Sequence, residues 1–92
     1  MKGIRGKSIK AITWDIAEGY VTVNPIFLKP LDMEVIKELY QEIQQMQTEI
    51  RGEKFPFNDI QAIRRRNMRL QRLNSAHMII RNFLKERKQL FT

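Results

Sequence analysis

Ile36, Leu39, Tyr40, Ile43, Met46 and Ile50 recur at spacings of three and four residues, which on an α-helix places all six along one side. A second series, Ile63, Leu70, Leu73, His77, Ile80 and Leu84, repeats the pattern in a heptad-like stripe, interrupted by Arg66. Only Gly52 to Phe57 separate the two series. So short a connection makes the helices antiparallel neighbours whose stripes face each other. The first helix is predicted over residues 32–51. Asp32 is its N-cap, Leu31 packs on Ile36 as a hydrophobic staple, Glu34 complements the helix dipole, and Gly52 is the stop signal. The second is predicted over residues 58–88, with Asn58 as N-cap and Gln61 completing a capping box.

The residues before this pair carry a different period. Ile12, Trp14 and Ile16 alternate with Thr13 and Asp15, the signature of a half-buried strand. Residues 20–27 are rich in β-branched and aromatic types and make a second candidate strand. A turn at Glu18-Gly19 would pair Ile16 with Val21 and Trp14 with Val23, and Pro25 and Pro30 would end the second strand. The expected fold is therefore α+β. One domain of 92 residues comprises a basic arm (1–7) and an N-terminal β-hairpin (8–27) packed on a long antiparallel two-helix hairpin.

The two helices are unequal. Antiparallel pairing brings Ile43 near Asn67 and Ile36 near Asn74, after which the second helix overhangs by roughly 15–20 Å. This overhang holds Ile79, Ile80, Phe83 and Leu84, and an exposed apolar patch of that kind is unusual for a monomer. The β-hairpin is expected to cover part of it and a second copy of the chain to cover more. Leu73, His77, Ile79, Ile80, Phe83 and Leu84 are thus the candidate self-association residues. In such a homodimer His77 would meet its own mate, making association sensitive to pH.

The formal charge of +7 is distributed as +3 over residues 1–30, −4 over 31–53 and +8 over 54–92. The densest cluster is Arg64-Arg65-Arg66 with Arg69 and Arg72. Of these, Arg65, Arg69 and Arg72 share one line of the helix, while Arg64 and Arg66 point to opposite sides. Guanidinium groups so concentrated can neutralise phosphates. Arg64, Arg65, Arg69 and Arg72, with Lys2, Arg5, Lys7 and Lys10 of the arm, are the candidate phosphate contacts. The plainer reading is a solvated helix surface paired in part with Glu42 and Glu49, each such pair contributing about 0–1 kcal/mol.

Chemistry is sparsely equipped. With no cysteine and the single histidine His77, the chain offers no thiolate or multi-histidine metal site and no nucleophile, base and orienting partner. Neither a catalytic activity, a cofactor, a metal nor a small-molecule substrate is expected. No apolar run is long enough for a membrane span or a signal peptide, so a cytoplasmic location is expected. These features lead to a small basic binding or assembly module that self-associates through its second helix. The alternative partners are another protein or a nucleic acid held by Arg64–Arg72 and the arm.

Overall fold

A computed structural model describes residues 4, 6–54 and 57–87. They form four helices: α1 (Ile9–Glu18), α2 (Pro25–Leu28), α3 (Met33–Gly52) and α4 (Ile60–Glu86). No strand occurs among the described residues, whose one β-type pairing is the isolated bridge between Ile4 and Lys7. The protein is helical, and the expected α+β class with its N-terminal β-hairpin is overturned.

The physical reason lies in a period that two structures share. Ile12 and Ile16 are four residues apart, so they line up on a strand face and on a helix face alike. Thr13 and Ala17 decide between the two. Both are fully buried with Ile12 and Ile16, the i, i+1, i+4, i+5 pattern of a helix, whereas Trp14, placed beside the isoleucines by the strand reading, lies outside at 41% exposure. The buried Thr13 hydroxyl donates to the Ile9 carbonyl at 2.8 Å, so its burial leaves no orphaned donor. Ser8 caps the helix by accepting from the Ala11 N–H at 3.1 Å. Gly19 is the stop rather than a hairpin turn. With φ at +86° it closes a Schellman motif in which the Gly19 N–H reaches the Ile16 carbonyl and the Tyr20 N–H reaches that of Asp15.

The second expected strand is a loop followed by α2. Asn24 accepts from the Phe27 N–H at 2.8 Å, and Pro25 occupies the first turn, where its missing N–H costs nothing. The Asn-Pro pair is thus a helix start and not a strand end.

The two long helices lie where the periodicity predicts, with altered ends. Asp32 sits at the N-cap of α3 without a side-chain cap bond, and Gly52 is the last helical residue, followed by an extended Glu53. Asp59, not Asn58, caps α4 by accepting from the Ala62 N–H at 3.0 Å. From Ile60 to Glu86 α4 is continuous through Asn74 and Ser75, about 40 Å of helix. α1 packs on both α3 and α4, and α2 packs on α4. One core results, in which Ile12, Leu28, Ile36, Leu39, Ile43, Leu73, Ile80 and Leu84 lose nearly all contact with solvent.

Candidate nucleic-acid interface

Every face of α4 has a distinct fate. The side toward the rest of the chain buries Leu73, Ala76, Ile80, Phe83 and Leu84, with His77 and Ile79 half-buried at its margins. The expected register, with Ile36 near Asn74, is not the one formed, since His77 lies against Tyr40. The stretch expected to need a second copy is buried in a core shared with α1, α2 and α3. Of the six candidate self-association residues, Leu73, Ile80, Phe83 and Leu84 belong to the core. A partner could reach them only by displacing those helices.

His77 stacks on Tyr40 of α3, with ring centroids 4.2 Å apart and 21° between planes. Burial, and secondarily the charge of Arg81 one turn further on, pushes its pKa below the usual 6.5. The folded chain thus binds this proton less readily than the unfolded chain. Stability is expected to be level above the ordinary pKa and to fall as pH drops from about 6.5 through the depressed folded value. Melting temperatures between pH 8 and 5 check this. A His77→Gln variant should lose the part of the decline that lies above the carboxylate range.

The arginines divide into two sets. Arg69 donates to both Glu18 carboxylate oxygens, at 2.8 and 3.3 Å, and its guanidinium carbon lies 5.8 Å from the centre of the Trp14 ring. Its hydrogen bond holds the Glu18 carboxyl below the usual carboxylate range against the opposing effect of burial, and the charges of Arg69, Arg72 and Arg65 add to the lowering. Arg72 donates to the Ala17 carbonyl at 3.0 Å. This carbonyl lies in the last turn of α1, where a cation complements the helix dipole. Two of the predicted phosphate contacts thus fasten α1 to α4. Arg64 and Arg65 remain exposed, and Arg66 is half-buried on the same side of α4 as His77. In the expected arm, Lys7 pairs with Asp15 at 2.7 Å and Lys10 is exposed. Lys2 and Arg5 lie outside the described residues.

The solvent side of α4 carries a feature that apolar periodicity does not mark. Ile60, Arg64, Asn67, Gln71, Asn74, Met78, Arg81 and Lys85, spaced alternately by four and three, are all exposed and form one stripe along the helix. From Ile60 through Lys85 the sequence has seven Lys or Arg and five Asn or Gln, and no Asp or Glu. That gap in carboxylates is the signal that could have revealed this face, since a solvated helix ordinarily mixes both signs of charge.

Beside the stripe a cleft of about 410 Å³ opens between the Gly19–Val23 loop and α4. Its floor is apolar, with Ile16, Val23 and Ala76 buried and Val21 and Ile79 half-buried. The rim is exposed and largely polar, formed by Thr22, Gln71, Ser75 and Met68, and Arg72 stands at one end against Gly19.

No family model, curated protein or solved structure matches this chain. Among the described residues, no helix is long and apolar enough to cross a membrane.

Proposed function

We propose that this chain binds nucleic acid through the solvent face of α4. The observation that carries the reading is the exposed, carboxylate-free stripe from Ile60 to Lys85, with Arg64, Arg81 and Lys85 as cations and Asn67, Gln71 and Asn74 between them. Cations along such a face neutralise phosphates and release their counterions. The amides can also donate and accept hydrogen bonds at sugar, phosphate or base edges. None of the three cations is drawn into an ion pair among the described residues. Self-association through the apolar side of α4 is the weaker reading, because it requires residues that the core already uses.

The test separates cations that would contact phosphate from those that hold the fold. Binding of labelled DNA and RNA of arbitrary sequence is measured at about 50 mM salt and upward. Affinity should fall as salt rises, and the slope of log affinity against log salt should flatten by about one for each cation removed from Arg64, Arg81 and Lys85. Reversing all three to glutamate should weaken binding by more than about tenfold. Alanine at each should leave thermal stability within about 0.5 kcal/mol, as for other exposed positions. Salt-independent binding, or full affinity in the triple reversal variant, would remove the reading.

A further inference from the structure

We infer that the cleft between the Gly19–Val23 loop and α4 receives an unpaired base, so that the nucleic acid bound is single-stranded. The inference rests on the proposed nucleic-acid function and assigns its substrate class. At about 410 Å³ the cleft falls within the size range of small-ligand sites. Its surface narrows the chemistry. No carboxylate lines it and Arg72 stands at one end, so a cationic guest is excluded on charge. The apolar floor of Ile16, Val21, Ala76 and Ile79 suits a flat, weakly polar ring. The rim presents the Gln71 amide and the Ser75 and Thr22 hydroxyls, which both donate and accept. An alkyl chain would leave those groups unanswered, and a bare anion would leave the floor wet. A nucleobase, apolar on its faces and hydrogen-bonding along its edge, satisfies both.

Position supports the same assignment. Gln71 belongs to the carboxylate-free stripe and also to the rim of the cleft. Arg64, exposed on that stripe, lies one helical turn before Met68 and two before Gln71, and the exposed Arg65 lies one turn before Met68. A base seated in the cleft would thus have cations beside its own backbone phosphates. A paired base cannot enter without leaving its stack, which costs a duplex several kcal/mol and a single strand much less.

Fluorescence anisotropy with labelled oligo-U and oligo-dT of about 12 nucleotides, and with a blunt duplex of the same length, tests the inference on the full chain. At least one of the two strands should bind more than about tenfold tighter than the duplex, and the better of them identifies the sugar preferred. Thr22→Leu and Ser75→Leu narrow the cleft from opposite walls and remove its rim hydroxyls without adding an aromatic ring. Each should weaken strand binding by about fivefold or more, while duplex binding and melting temperature stay unchanged. Equal or tighter duplex binding would overturn the inference. So would undiminished strand affinity in both variants. In either case salt-dependent binding that needs Arg64, Arg81 and Lys85 would leave the proposed function standing. Absence of binding to strand and duplex alike would overturn both.

Discussion

Replacing Ile80 by alanine is expected to destabilise the folded chain by about 2–5 kcal/mol, lowering the melting temperature by roughly 10–30 °C for a domain of this size. Ile80 has no exposed surface and lies one turn past His77, which stacks on Tyr40 of α3. If that part of the helix were open to solvent, or covered only in a dimer, the substitution would be nearly neutral in a dilute monomer. The large loss follows from burial in the chain's own core, where an unfilled cavity is left when three carbons are removed. Met78, two residues earlier and 55% exposed, is the control, and Met78→Ala should stay within about 0.5 kcal/mol. Thermal melts over a hundredfold range of protein concentration should give one midpoint for each variant. A midpoint that rises with concentration would mean that the folded state is an oligomer.

Gly19→Val is expected to cost about 2–4 kcal/mol. The residue sits at φ +86°, where a β-branched side chain is strained. A Cβ there would also stand 3.0 Å from the Arg72 guanidinium carbon, so that side chain would have to move off the α1 terminus. The two contributions can be separated. In an Arg72→Ala background the backbone strain remains and the collision disappears, so the same substitution should cost less by about 0.5–2 kcal/mol in a double-mutant cycle. Equal costs in both backgrounds would show that the Arg72 bond to Ala17 contributes nothing to stability.

Much of this fold is legible in the sequence, and the failures have a common origin. α3 and α4 repeat their apolar pattern for about four and six turns, long enough that no strand period can imitate it. Over the ten residues of α1 the pattern is short, and Ile12 and Ile16 satisfy both periods. Its best local evidence lay in the caps, Ser8 before it and Gly19 after it, and for α2 in Asn24-Pro25. The candidate interface was harder to see. An arginine cluster can be counted in the sequence, but the partner that occupies Arg69 is Glu18, 51 residues away, and only the packing of α1 on α4 brings them together.

The sequence by itself determined that two amphipathic helices fold back on each other, that one outlasts the other, and that positive charge gathers on the longer. Those properties belong to local periodicity and composition. The tertiary structure decided what covers the apolar half of that helix and which cations remain available to a ligand. A short segment takes whichever conformation buries its apolar side chains against the surface it meets, here the groove of α3 and α4, and Ile12, Thr13, Ile16 and Ala17 can all enter that groove only as a helix. The same docking commits Arg69 and Arg72 to holding α1 in place, and leaves the stripe from Arg64 to Lys85 facing solvent.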